Sequence, residues 1–246
     1  MWPDLIMLQE VDVDSTRTYH IDESAVLARS QSVHALNYSC GFVPYPLPPI
    51  GSVHSGLFTT TDYKIDSAER ISLPSPFKWP VSTANLKRCL LVSCLPIDGS
   101  DKQLVLVNLH LEAYDDGEGK IAQTNQLRDF ITSEYEKGNY VIAGGDFNQV
   151  FPGSLDIYPI IDPELWTPGV LDENLLPDGW TLAYDLDTPS CRLLNQPYAK
   201  DDENTQHYVI DGFILSPNVE LTDVQTLGLD FGSSDHNPVF INVKLK

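Results

Sequence analysis

Apolar runs that deliver a carboxylate, a carboxamide or an imidazole at or near one end recur along this chain, and few folds accommodate that pattern. Tyr140-Val141-Ile142-Ala143 leads into Gly144-Gly145-Asp146-Phe147-Asn148-Gln149. The run reads as a buried strand, and the two glycines permit a sharp exit with unusual backbone angles. Asp146 and Asn148 then stand two apart, a spacing that places both on one side of extended backbone. A charged oxygen ligand and a neutral hydrogen-bonding head would meet at a sheet edge, where open α/β folds place their ligands. A plain surface turn would use the same residue types.

Four further segments repeat the design. Leu104 to Leu111 is a strand-like run with Asn108 and His110 on one face, and Tyr208 to Leu215 is an apolar run interrupted by Asp211. Ser234-Asp235-His236-Asn237 stands directly before the terminal run Pro238 to Leu245, and Leu5-Ile6-Met7-Leu8-Gln9 ends in Glu10. One acid at a strand end is usually a solvated terminus. Five apolar runs that all carry such groups call for a site.

The remaining pattern fits one α/β domain, residues 1–246. Strand-like runs fall near 4–9, 56–60, 88–95, 104–111, 140–143, 208–215 and 238–245. Ala122 to Lys137 reads as a helix with Leu127, Phe130, Ile131 and Tyr135 on its apolar face. Asp22 to Ser30 is a second helix candidate, with Asp22 as its N-cap. Phe151 to Gln206 shows little strand pattern and reads as loops with short helices. The aromatic and proline-bearing loops Phe42 to Pro49 and Pro74 to Pro80 read either as stiffened connections or as a rim that touches substrate. No apolar run is long enough to cross a bilayer, and the first residues lack the basic and apolar regions of a secretory signal.

Charge narrows the partners. Thirty-five acids against fifteen bases give a net charge of -20, and no basic run is present. A protein that grips duplex DNA spends Lys and Arg on phosphates, because counterion release drives that binding. The field of this chain therefore favours a small substrate over a long polyanion. The acidic stretches Asp115-Asp116-Gly117-Glu118 and Asp201-Asp202-Glu203 read as solvated loops. Cys89 and Cys94, five apart in one run, should point to opposite faces; with Cys40 and Cys191 they read as buried free thiols, and no C-x-x-C spacing suggests zinc. A serine hydrolase would show a strained G-x-S-x-G turn, and none is present. Ser234, Asp235 and His236 are neighbours, which is the wrong geometry for a relay triad. Gly117-Glu118-Gly119-Lys120 lacks P-loop spacing.

Taken together, Leu8-Gln9-Glu10-Val11, Asn108-Leu109-His110-Leu111, Gly145-Asp146-Phe147-Asn148, Ile210-Asp211-Gly212-Phe213 and Ser234-Asp235-His236 resemble the ordered motifs of the endonuclease/exonuclease/phosphatase superfamily, the deoxyribonuclease I-like proteins. Each motif is weak alone; their order from residue 4 to 245 is specific. The resemblance implies a four-layer α/β/β/α sandwich of two mixed β-sheets flanked by helices. It also implies that the family's first strand, which ends in an Asn, is missing here, since Met1-Trp2-Pro3-Asp4 starts inside the second conserved segment.

By the same resemblance, His236 is the general base and Asp211 fixes its tautomer. Asp146 orients the nucleophile, and Asn148 hydrogen-bonds the phosphate without adding negative charge. His110 donates to a phosphate oxygen or protonates the leaving group. Glu10 and Asp235 hold Mg²⁺ or Mn²⁺, hard cations that prefer oxygen ligands. Arg192, in Ser190-Cys191-Arg192-Leu193, faces the substrate phosphate; Arg88 either shares that role or sits in a structural ion pair. His20, His34, His54 and His207 have no motif context.

The expected activity is metal-dependent hydrolysis of a small-molecule or lipid-headgroup phosphodiester or monoester by a monomer with no transmembrane segment. A Mg²⁺-dependent nuclease is the alternative within the superfamily, and a catalytically impaired binding remnant is the alternative from another class. The expected location is the cytoplasm, or outside it if the natural N-terminus is longer.

Overall fold

The computed structural model describes residues 3–79, 81–83, 85–115, 117–199 and 204–246. Pro80, Asp116 and the acidic run Asp201-Asp202-Glu203 lie outside them, as do Met1 and Trp2. The chain divides into two compact units, residues 1–145 and 146–246. It is α/β, rich in strand and poor in helix.

The first unit contains two groups of strands. β1 (Leu5–Asp12), β2 (Gln31–Val43) and β3 (Gly51–Thr61) form an antiparallel sheet in the order β1-β3-β2. β4 (Ser67–Ser72), β5 (Cys89–Pro96), β6 (Gln103–His110) and β7 (Tyr140–Asp146) follow as β7-β6-β5-β4. A helix, α2 (Glu118–Glu136), connects β6 to β7; a shorter one, α1 (Glu23–Leu27), precedes β2. The backbone N–H that opens β6, at Gln103, donates to the Asn139 side chain just before β7, and at the far ends Leu109 O abuts Gly145. The two strands therefore run parallel, the arrangement that needs a helical crossover.

Ala35, Leu57, Cys89 and Leu91 form a buried cluster shared by β2, β3 and β5, which joins the two strand groups through apolar contact. Asn108 adds a polar link. Its Nδ2 donates to Leu8 O and to Phe58 O, both at 3.0 Å, and its Oδ1 accepts from Gln9 Nε2 at 2.8 Å. A fully buried amide satisfied in this way is structural. It is not a ligand-facing group.

Asp22 caps α1, accepting from Ala25 N at 3.1 Å, as expected. The helix expected at 122–137 begins earlier, at Glu118, because the Asp115 carboxylate accepts from the N–H groups of Gly119 and Lys120 and so satisfies its first turn. Leu127 and Ile131 are fully buried; Phe130 and Tyr135 are only half-buried, while Gln123 and Thr124 take buried positions on the same helix. Asp115 itself is a correction to the solvated-loop reading, since its side chain is 1 % exposed and pairs with Lys120 Nζ at 3.2 Å.

The second unit is built from shorter pieces: β8 (Gln149–Val150), α3 (Ser154–Ile157), β9 (Gly169–Val170), β10 (Thr181–Ala183), β11 (Cys191–Arg192), β12 (His207–Tyr208), β13 (Asp211–Leu215), β14 (Val219–Thr226) and β15 (Val239–Leu245). β8 and β9 are parallel; β10–β13, β11–β12 and β14–β15 are antiparallel pairs. Val150, Cys191, Tyr208 and Ile210 form its local core. The expected strand over 208–215 is broken, because Val209 O and Ile210 O accept from Phe151 N and Phe147 N. That exchange ties the turn after β7 to the segment that presents Asp211.

All four cysteines are free, as expected, but only Cys89 and Cys191 are buried; Cys40 and Cys94 are half-buried. Among the described residues no helix is long and apolar enough to cross a membrane.

Candidate active site

In the second unit the expected residues converge. Asp211 Oδ2 lies 2.8 Å from His236 Nδ1. The Ser190 hydroxyl donates to the same Oδ2 at 2.8 Å and accepts from the backbone N–H groups of Ile210 and Asp211, each at 3.1 Å. Ser190 is completely buried and is held in turn by its backbone: Ser190 N donates to Tyr208 O, and Ser190 O accepts from Asn237 N at 2.7 Å. Asn237 Nδ2 donates to Pro189 O at 3.0 Å, while its Oδ1 accepts from Leu229 N at 3.1 Å. Residues 189–192 and 235–237 are thereby locked together on both sides of the Asp211–His236 contact, with Cys191 and His236 in an antiparallel bridge.

This anchoring sets the electrostatics. Burial disfavours a charged His236, but the Asp211 carboxylate outweighs it and raises the imidazole well above its ordinary range. Nδ1 faces Asp211, and the Cys191 thiol is a second hydrogen-bonding neighbour of the ring. The ring is 32 % exposed, enough to meet a solvent molecule or substrate. Burial, with the charges of Asp211 and Asp146 added, pushes the neighbouring Cys191 thiol up to about 11. A thiol so protonated is a poor nucleophile, and Cys191 packs.

Asp146 ends β7 and is buried. Its Oδ1 accepts from Asn148 N at 2.8 Å and its Oδ2 from Asn148 Nδ2 at 3.2 Å. The pair does not extend along a strand, as the spacing alone suggested. Asn148 instead adopts φ 50°, and the carboxylate closes a tight turn around it. Gly145, at φ 142°, explains the preceding glycine: a Cβ there would lie 2.1 Å from Leu109 O. Asp146, Asp211 and His236 bring ligand atoms within 4.8 Å of one another. His236 Nδ1 already faces Asp211 Oδ2, so this trio suits base orientation better than a cation cage. Asp235 is half-buried, and its main-chain O accepts from Arg192 N at 2.9 Å; its carboxylate is not part of the trio. The Arg192 guanidinium lies over the Tyr198 ring, 5.1 Å from its centre.

In the first unit Glu10 was expected to close its strand. β1 runs on to Asp12, and Glu10 sits inside it, in a register shift between Leu8 and Val11, at φ 56°. A bulge of this kind re-aims a side chain, and here it leaves the carboxylate exposed. His110 ends β6 and is buried, its carbonyl accepting from Arg88 Nη1 at 3.5 Å. Arg88 is itself buried 4.0 Å from Glu112, which decides for the structural ion pair.

Sequence reasoning missed Ser190. The signal was present, since a buried Asp needs donors and Ser190 opens the segment chosen for Arg192, but nothing in the sequence links positions 190 and 211.

No family model matches the chain, and no curated protein does. Solved structures do. An endonuclease/exonuclease/phosphatase from Beutenbergia cavernae DSM 12333 superposes with a TM-score of 0.66 at 16% identity, over 99% of this chain and 63% of that one. The fold is the endonuclease/exonuclease/phosphatase fold. Two more proteins with this fold match in the same way. ANGEL2, described as a 2′,3′-cyclic phosphatase and bound to adenosine-2′,3′-vanadate, gives 0.60 at 17% identity over 98% of this chain and 82% of its own. D. rerio TDP2 complexed with a single-strand DNA product gives 0.54 at 18% identity over 98% and 86%. The chain thus spans less than two thirds of the Beutenbergia protein and over four fifths of the other two endonuclease/exonuclease/phosphatase proteins.

Proposed function

We propose that this chain is a divalent-metal-dependent phosphoesterase, residues 1–246 acting as one catalytic domain, that hydrolyses a small-molecule or lipid-headgroup phosphoester. The observation that carries the reading is the Asp211–His236 contact, held from behind by Ser190, with the imidazole partly exposed. An imidazole whose tautomer is fixed by a buried carboxylate is built to accept a proton from water. Asp146 is the residue that orients the water, and Asn148 offers its amide to the phosphate. Arg192 contributes the positive charge that a phosphoester seeks, and His110 serves the leaving oxygen. Glu10 in the first unit and Asp235 in the second each carry a carboxylate, a hard oxygen donor of the kind that Mg²⁺ or Mn²⁺ prefers. Such an ion, when bound, supplies charge withdrawal from the phosphate and stabilisation of the leaving oxygen.

Cyclic phosphate chemistry in ANGEL2 supports a small diester, and so does the net charge of -20. The nuclease reading draws support from the DNA product in the TDP2 complex. A panel of bis-p-nitrophenyl phosphate, sphingomyelin, inositol phosphates and plasmid DNA, with and without chelator, tests both. Chelator-sensitive turnover of the small diesters above DNA at equal phosphoester concentration is expected. DNA as the better substrate would put the nuclease first, and no metal-dependent turnover at all would leave a binding remnant. Glu10→Gln keeps the shape and removes one charge, so it should shift the Mg²⁺ titration to higher concentration; an unchanged titration would place the ligand elsewhere.

A further inference from the structure

One fifth of this chain is charged, yet positions 30–61 contain no Asp, Glu, Lys or Arg. That stretch is the β2–β3 hairpin. Its root is well covered. Arg70 Nε donates to Leu36 O at 2.9 Å, Lys87 N donates to Asn37 O, and β2 shifts register there, between Leu36 and Tyr38, and again between Cys40 and Val43. Nearer the tip, Ser15 and Thr16 hold the start of β3 through His54 and Ser52. The tip is different: Phe42, Tyr45 and Leu47 are 62 %, 77 % and 83 % exposed. Pro44, Pro46, Pro48 and Pro49 stiffen the backbone that presents them. An apolar cluster on a preorganised loop, held out to solvent, marks a binding surface.

Its position is informative. Asp12 pairs with Ser55, and β3 begins at Gly51, so the hairpin continues roughly 13 Å past the end of β1. Glu10 lies at this end of β1. Gln9, beside it, reaches Asn108 near the end of β6 and lies against Gly145 near the end of β7. The tip therefore projects from the end of the first unit that carries Glu10 and His110.

We propose that the tip of the β2–β3 hairpin docks this chain on an electrically neutral, zwitterionic lipid surface. The proposal rests on the phosphoesterase reading only for the consequence that the substrate is a lipid headgroup. Aromatic and aliphatic side chains with no neighbouring charge suit the boundary between headgroup and acyl chain. A net charge of -20 excludes attraction to an anionic surface, and the absence of any carboxylate from 30 to 61 keeps local repulsion off the tip. A second copy pairing along β2 is disfavoured by the bulges and by the Arg70 and Lys87 cover.

The test is co-sedimentation of the full chain with phosphatidylcholine/sphingomyelin vesicles in chelator, so that binding is read without catalysis. Wild type is expected to bind, with little dependence on salt, and less well when phosphatidylglycerol replaces part of the phosphatidylcholine. Combined Phe42→Ser, Tyr45→Ser and Leu47→Ser should lower apparent affinity at least about tenfold, with hydrolysis of bis-p-nitrophenyl phosphate unchanged. Tyr45→Trp should bring a blue-shifted emission on vesicles that wild type lacks. Wild type that stays in the supernatant, a triple variant that binds equally, or vesicle-bound Tyr45→Trp protein with no added blue shift would each overturn the docking. Loss of self-association in the triple variant, seen by sedimentation velocity without vesicle binding, would assign the tip to a second copy and overturn it too. Docking without turnover of any phosphoester would retain the lipid surface and reject the phosphoesterase.

Discussion

Two acid–base pairs, one in each unit, look alike in their spacing and differ in what they can do. Lys120 and Asp115 lie 3.2 Å apart with side chains 8 % and 1 % exposed. Lys120 Nζ also donates to Ala113 O, while Asp115 takes the first N–H groups of α2. The pair closes on itself and fastens the 113–115 turn to the helix. Asp211 and His236 are 2.8 Å apart, but the imidazole is 32 % exposed and only Nδ1 is bound to the acid. A perturbed ionisable group is thus a weak sign of function by itself. What separates the two pairs is access: the imidazole of the second is partly exposed, whereas both side chains of the first are buried.

Removing one partner of each pair separates their roles. Lys120→Met leaves Asp115 buried without its counter-charge and should cost about 3 kcal/mol of stability, read as a shift in urea midpoint, with turnover per folded molecule retained. His236→Ala should do the reverse. Its expected loss is at least about a hundredfold in kcat, with an unchanged urea midpoint. Near-normal turnover in His236→Ala would remove His236 from the mechanism, and a Lys120→Met protein as stable as wild type would show that the first pair fastens nothing.

How much of each pair was legible in the sequence follows from the same difference. Asp211 and His236 were visible because each interrupts or precedes an apolar run, and burial of that run fixes where the acid or imidazole emerges. The strands beginning near Leu5, Cys89, Gln103, Tyr140 and Val239 were legible for the same reason. β4 (Ser67–Ser72) and β14 (Val219–Thr226) were not, because β4 exposes most of its side chains and β14 half of them, and ladder hydrogen bonds to β5 and β15 hold them. β2 escaped as well, since only Ala35 and Asn37 along its thirteen residues are fully buried. Asp115 was misread as solvated because its partner follows five residues later on a helix whose start the sequence placed too late. Ser190 was illegible because its role exists only once Asp211 and His236 have been brought to it.

Ser190 offers a smaller and more selective perturbation. It touches no reacting atom and acts through Asp211, so it is a positioning residue. Ser190→Ala removes one donor from the carboxylate and one acceptor from two backbone N–H groups. The expected result is about a tenfold fall in kcat with KM nearly unchanged, and recovery in Ser190→Thr, which restores the hydroxyl. A loss of stability with kcat intact would reduce Ser190 to a packing role and would make the second pair as purely structural as the first.

The smallest effect lies in the acid limb of the first pair. Burial works against the charged form of Asp115, but the hydrogen bonds and charge of Lys120 prevail and hold its carboxyl below the ordinary value of 3.8. A carboxyl depressed on folding adds stability that is complete above the unfolded value and is lost as pH falls through the folded one. Wild type should therefore lose urea resistance on acidification below about pH 4 more steeply than Asp115→Asn, which is weaker throughout but has no charge to titrate there. Equal slopes in the two proteins would mean that Asp115 is not ionised against Lys120. The closed pair would then be a neutral hydrogen-bonded turn, and its likeness to Asp211–His236 would rest on distance alone.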